Sequence, residues 1–259
     1  EPISLYELNR QIKSIIKEAT DPAYWIFAEI SELKTNVSGH CYLELVEKDE
    51  KTEYLKARSR ATIWSPAFRM ISSYFESSTG IPLSPEMKVL VKVTVDFHEL
   101  YGLSLNIVDI EPSYTVGELA RKKQEIINRL MEEGVFDMNR DLDFPELPKR
   151  IAVISSLTAA GFGDFRDQLL KNEYDFQFHI KLFPAYMQGD DAEDSIIRAL
   201  EIIHTNENVF DVVVIIRGGG SQADLSCFNQ YRLALHIAQF PLPVVTGIGH
   251  EQDETIVDL

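Results

Sequence analysis

Residues 211–221 read DVVVIIRGGGS. Val212 to Ile216 form an unbroken apolar run, mostly β-branched, which is what a short strand covered on both faces of a parallel sheet requires. Three similar runs lie around it: RIAVISS at 150–156, QFHIKLFPA at 177–185 and PVVTGIG at 243–249. Helical patterns fill the intervals at 164–172, 190–206 and 223–239. The alternation predicts an α/β domain with a mainly parallel four-stranded sheet over 150–259. In such sheets ligands collect beyond the carboxyl ends of the strands, so the residues following each run carry the chemistry.

After 212–216 come Arg217, Gly218, Gly219, Gly220 and Ser221. Glycines leave backbone N–H groups free to converge on an anion, an arginine adds a forked charge, and a serine opens the next helical pattern; together they read as a phosphate cradle. A flexible turn explains one or two of these glycines but not a third beside Arg217 and Ser221. No GxxxxGK[ST] exists, which disfavours ATP hydrolysis, and a dinucleotide fingerprint would need glycine where Gln252 stands. After 243–249 come His250 and, three residues on, Asp253. A histidine titrates near neutrality and can move a proton, and a neighbouring carboxylate can fix its tautomer. After 150–156, the small-residue segment LTAAGFGDFRD leads to Asp164, which reads either as a helix N-cap or as a carboxylate aimed into the ligand crevice. An acid, an arginine with a glycine nest, and a histidine with an acid, all at predicted strand ends, suit hydrolysis of a phosphate ester.

The first half of the chain has a different grain. In LYELNRQIKSII (5–16) apolar residues recur at helical spacing, with Ser4 and Glu7 as a capping box and Asp21–Pro22 as the stop. Strand candidates follow at 23–34, 39–47, 55–64, 87–98 and 101–110. The fourth is clearest, because Met87, Val89, Val91, Val93, Val95 and Phe97 alternate with polar residues. Between the third and fourth, SPAFRMISSYFES (65–77) puts Phe68, Ile71, Tyr74 and Phe75 on one helical face behind Pro66. Five strands with a helix after the third is the element order of an OB-fold barrel, a fold that binds single strands or oligosaccharides. Lys56, Arg58, Arg60 and Trp64 share one face of the third candidate, where a phosphate backbone could run with bases stacked on rings; a solvated strand face is the bland alternative. Tyr42, Phe97 and Tyr101 are further stacking candidates, with core packing the first reading of Phe97 because it continues the buried row of the fourth strand. The expected division is a binding domain at 1–114, a helical linker at 115–149 containing the polar, proline-bearing MNRDLDFPELPKR, and a catalytic domain at 150–259.

Composition narrows the class of partner. The 259 residues are 45% hydrophobic and carry a net charge of −16, with 12 basic against 17 acidic residues in 1–114 and 13 against 24 in 115–259. A polyanion must therefore be held by local clusters and stacking, with strong salt dependence. Cys41 and Cys227 show no metal-ligand spacing, and neither a membrane span nor a leader pattern is evident, so a cytoplasmic protein without a structural metal is expected.

These residues resemble the large subunit of bacterial exonuclease VII. The resemblance runs through LYELNRQIKSII, AEISELKTNVSGHCYLEL and YTVGELARKKQEIINRLMEEGVFD to LPKRIAVISS, and is strongest in VVVIIRGGGSQADLSCFNQYRLALHIAQFPLPVVTGIGHEQDETIVD, where RGGGS and GHExD stand in the family's order and separation. It implies degradation of single-stranded DNA from both ends to oligonucleotides with 5′-phosphates. The essential positions fall on Asp164, Arg217, His250 and Asp253, with Gly218, Gly219, Gly220 and Ser221 as the phosphate loop and Asp224 and Asn229 as lesser candidates. The family's Thr-Gly-Ala turn is TAAGFGD here, which makes Asp167 the alternative to Asp164. The resemblance names no obligatory metal, although two carboxylates beside a phosphate can hold Mg²⁺. It also implies many copies of a small helical subunit, carried by a C-terminal helical region beyond Leu259. Two rivals compete: a binding module without catalysis, and a phosphate or nucleotide sensor using the same glycine nest.

Overall fold

The computed structural model describes residues 2–49, 52, 54–218, 222–249 and 254–259, and the side chains of all of these except 222–224. The chain divides into two compact units, Glu1–Ala120 and Arg121–Leu259.

The first unit opens with helix α1 (Leu5–Ala19). The anticipated capping box starts it: the Glu7 N–H donates to Ser4 Oγ at 3.2 Å and the Ser4 N–H donates to Glu7 Oε2 at 3.1 Å. Five strands follow, β1 (Tyr24–Thr35), β2 (Cys41–Lys48), β3 (Leu55–Ile63), β4 (Lys88–His98) and β5 (Gly102–Glu111), with helix α2 (Ser65–Thr79) between β3 and β4. They close a barrel in the order β1-β2-β3-β5-β4, with β1 pairing antiparallel to both β2 and β4. The short parallel pairing of β3 with β5, through Ala61–Leu105 and Thr62–Asn106, completes an OB-fold barrel. Its core takes the inward alternate residues, among them Leu43, Leu45, Val89, Val91 and Val93, capped by Ile71 and Phe75 of α2. Tyr74 is exposed and so departs from the predicted apolar face of α2. Ala57 is exposed too, since the outer end of β3 has left the core.

The second unit takes up the last turns of α3 (Pro112–Glu132) and then alternates: β6 (Arg150–Ser155), α4 (Ala160–Leu170), β7 (His179–Pro184), α5 (Ala192–His204), β8 (Val212–Ile216), a 3-10 stretch (Gln222–Asn229), α6 (Tyr231–Ala238) and β9 (Val244–Gly247). The sheet is all parallel in the order β7-β6-β8-β9. Every residue of β8 and all but the first of β6 are buried, as expected of central strands. One apolar cluster, including Ile154, Ile196, Ile215 and Leu233, covers one face of the sheet; Phe162, Phe165 and Leu169 of α4 cover the other.

Two expectations need correction. Helix α4 begins at Ala160 and not near 164, with Ala159 as an N-cap that makes no side-chain hydrogen bond. Its start is set by backbone packing at Gly161, so Asp164 lies inside the helix and caps nothing. The predicted helix over 223–239 is two elements broken at the extended Gln230. Leu225 and Phe228 are buried at a spacing of three, which suits the tighter 3-10 repeat.

Candidate active site and strand-binding face

The carboxyl rim of the sheet is assembled from backbone contacts. Ser155, the last residue of β6, is fully buried; its hydroxyl donates to the Ile216 carbonyl at 2.6 Å, while its own carbonyl accepts from the Ala185 N–H at 3.0 Å. One residue on, the Arg217 N–H donates to the Gly247 carbonyl at 3.0 Å. The ends of β6, β7, β8 and β9 are thereby tied to one another. The loops leaving them approach as closely as glycine allows. A Cβ on Gly218 would stand 3.1 Å from Ala159 Cα and 3.2 Å from the Ala160 nitrogen, and one on Gly161 would stand 3.0 Å from the Arg217 carbonyl oxygen. These two positions are glycine because the loop after β8 lies directly on the first turn of α4.

This packing brings the segment carrying Asp164 against the one carrying Arg217. Asp164, one turn beyond Gly161, is exposed. Asp167 is engaged within its own helix and its C-cap: Lys171 donates to it at 2.8 Å and, with Arg166 nearby, holds its carboxyl below the usual range. Arg217 is 8% exposed, a buried guanidinium at the end of β8. Its charge opposes the burial that pushes the Cys227 thiol up to about 11, and the Glu193 carboxylate acts on the same thiol in the opposite sense. Glu193 stands in the first turn of α5, and its Oε1 is buried with no hydrogen-bond partner among the described residues. Reading the residues after each strand missed both Cys227 and Glu193; a carboxylate in the first turn of a helix leaving the carboxyl rim was the available signal.

Gly219, Gly220, Ser221, His250 and Asp253 lie outside the described residues, as does the Asp224 side chain. The flanks of 250–253 are well anchored. Gly247 is tied to Arg217, and on the far side the Ile256 N–H donates to Asn229 Oδ1 at 2.9 Å, Asp258 bonds Thr246 and Thr255, and Lys123 donates to the Glu254 carbonyl at 2.7 Å. Asn229 thus braces the chain end. Among the described residues no three His, Cys, Asp or Glu side chains gather as a cation cage.

On the barrel, Lys56, Arg58, Arg60 and Trp64 do project outward from β3. The cations are partly matched internally: Lys56 pairs with Asp49 at 3.0 Å, and Arg58 pairs with Glu44, its Nε donating at 2.6 Å. Trp64 is 50% exposed and is braced edge-on by His40 at 5.0 Å, whose Nδ1 also accepts the Ser65 N–H. A cleft of about 200 Å³ beside Trp64 is lined by Thr62, Thr94, Asp96 and Asn106, and Asn106 Oδ1 is buried there with no hydrogen-bond partner among the described residues. Tyr42 and Tyr101 are exposed, whereas Phe97 is half-buried.

A closed barrel of OB order, followed in the chain by a parallel α/β unit with Arg217 and Gly218 at its carboxyl rim, defines the class by architecture: an OB-fold domain with an α/β domain. Residues 3–111 match the family model described as OB-fold nucleic acid binding domain, and residues 135–259 match that of exonuclease VII, large subunit. The chain is 35% identical over 99% of its length to a Deinococcus radiodurans protein named exodeoxyribonuclease 7 large subunit, covering 62% of it. Proteins of the same name from Shouchella clausii (33% over the whole chain, 53% of the relative) and a Nostoc species (32% over 91%, 53% of the relative) are similar. Over nearly its whole length the chain is thus similar to exonuclease VII large subunits, and it spans between about half and three fifths of the length of these relatives.

Proposed function

We propose that this chain is the strand-binding and phosphodiester-cutting part of an exonuclease VII large subunit, hydrolysing single-stranded DNA from both ends. Residues 1–114 bind the strand, 115–149 link, and 150–259 cut. Release of 5′-phosphates means that the P–O3′ bond breaks. Water then attacks phosphorus in line, and O3′ leaves with a proton. Arg217 and the loop Gly218–Ser221 hold the equatorial oxygens, His250 transfers the proton, Asp253 orients the imidazole, and Asp164 positions the water or a cation. The observation that carries this reading is the contact of Gly218 with Ala159 and of Gly161 with Arg217, together with the Arg217–Gly247 bond, since these draw three strand-end segments to one rim. The small helical subunit and a cytoplasmic setting belong to the same proposal; no helix among the described residues is long and apolar enough to cross a membrane.

The test is digestion of end-labelled single-stranded against duplex DNA by the full-length large subunit with its small subunit, beside His250→Ala and Arg217→Gln. Each substitution is expected to slow cutting by at least about 100-fold, the usual cost of removing one transition-state group, while strand binding persists. Undiminished cutting by His250→Ala would overturn the assignment. Repeating the digestion with a chelator and with Mg²⁺ measures any cation requirement.

A further inference from the structure

The amino rim of the α/β unit carries a feature that the catalytic reading leaves unused. A groove of about 590 Å³ runs along the edge strand β7, lined by Arg150, Arg166, His179 and Lys181 over an apolar floor that includes Phe178 and Ile180. No carboxylate is among its lining residues, in a chain of net charge −16. Arg150 is held by Asp211 and Arg166 stands 3.7 Å from Asp167, so Lys181 and His179 are the less committed members.

Leading into the groove are three rings at alternate positions. Tyr174 and Phe176 have centroids 6.1 Å apart, and Phe176 and Phe178 have centroids 6.5 Å apart. The first two are 78% and 45% exposed. Their loop is firmly built: Asn172 Nδ2 donates to the Leu169 and Phe176 carbonyls at 2.8 Å, its Oδ1 accepts from the Tyr174 and Phe176 N–H groups, and Asp175 sits at φ 57°. Large rings held out in water by a pinned turn are displayed, not merely uncovered. Glu173 and Asp175 lie on the same loop, so attraction for an anion comes from the groove and stacking from the rings.

We infer that the Tyr174–Phe176–Phe178 ladder and the Lys181 groove form a second track for single-stranded nucleic acid, with bases on the rings and phosphates along the cations. Stacked rings beside a cationic channel are the general solution for holding a strand without reading its sequence. The inference rests on the proposed action on single strands, and it adds a surface on the rim opposite the strand ends that carry Arg217 and Gly247.

The experiment is anisotropy of a fluorescent oligo-dT with this chain across a salt series. The variants are Tyr174→Ala/Phe176→Ala, Lys181→Gln/Arg166→Gln and, on the barrel, Trp64→Ala; thermal melting checks that each is folded. The ring variant is expected to weaken binding at least about ten-fold. The cation variant is expected to lower the slope of log K against log salt by about 0.7 per lost phosphate contact. If wild type binds, Trp64→Ala weakens it, and both groove variants behave as wild type, this inference fails alone. If wild type binds no single strand, it fails together with the proposed function. Poly-glutamate held as tightly as oligo-dT would assign the groove to an acidic protein and overturn it.

Discussion

Both units pair many of their surface cations with carboxylates, Arg129, Arg140, Arg150, Lys171 and Arg232 in the α/β unit among them, but they differ in what their remaining cationic surface lines. Around the barrel, Lys13, Lys48, Lys56, Arg58 and Lys88 each meet a carboxylate of the same unit. In the α/β unit, Arg217 is buried among strand ends, and the groove beside β7 excludes acids from its lining. In an acid-rich chain, attraction for a polyanion survives only where acids are kept away. On the proposed function, the barrel contributes stacking on Trp64 and the α/β unit grips phosphates.

If the proposed catalytic rim depends on backbone proximity more than on surface charge, adding one methyl there should do the most damage. Gly218→Ala places its Cβ 3.1 Å from Ala159 Cα, and Gly161→Ala meets the Arg217 carbonyl at 3.0 Å. The Arg217 carbonyl follows the end of β8 and Ala159 is the N-cap of α4, so admitting either methyl shifts backbone at the rim by a few tenths of an ångström. Each variant is expected to lose about 1–3 kcal/mol of stability and, in the full-length complex, about 100-fold in cutting rate from displaced groups. Urea unfolding and strand digestion measure the two effects, and unchanged cutting would mean that Gly218 and Gly161 only fill space.

Ser155→Ala tests the same rim more gently. It removes the buried hydroxyl bonded to the Ile216 carbonyl and leaves that acceptor unsatisfied, at a cost of about 1–3 kcal/mol in urea unfolding. The opposite rim should respond to acid. Asp211 accepts from the Lys149 and Arg150 N–H groups at 2.9 and 2.8 Å and pairs with the Arg150 guanidinium, chiefly that guanidinium holding its carboxyl below the ordinary range. Because the folded value is depressed, this stabilisation is complete above the unfolded value, about 3.9, and disappears as pH falls through the folded one. Asp211→Asn should flatten the acid limb of the stability curve below about pH 4; an unaltered limb would deny Asp211 that part.

Much of this was legible in the sequence, for identifiable reasons. The alternation in β4 and the unbroken run of β8 fix which faces are buried, and parallel topology fixes where strand ends must gather, so Arg217 could be placed from position alone. The start of α4 could not, because no side chain caps it and Gly161 is required by a contact 56 residues along the chain with Arg217. The pairing of Arg58 with Glu44 was hidden as well, being decided by the register of β2 against β3. The rings of 174–178 sit in a loop, where neither strand nor helix periodicity draws attention to them.

The smallest expected effect is the sharpest test of the contrast between the units. Glu44 binds Arg58 through Oε1 and accepts from the Ser31 hydroxyl through Oε2 at 2.9 Å. Glu44→Gln keeps a hydrogen-bonding partner for Ser31 but cancels the charge that occupies Arg58, whose side chain is 63% exposed. An exposed ion pair is worth at most about 1 kcal/mol, so the fold should persist. A phosphate can then take the freed guanidinium, and the salt slope for oligo-dT should steepen by about 0.7, with binding about two- to five-fold tighter at low salt. Acid compensation would then be what keeps the barrel's electrostatic grip weak. An unchanged slope in Glu44→Gln would instead mean that the strand passes Trp64 without touching this face of β3, leaving the phosphate contacts to the α/β unit.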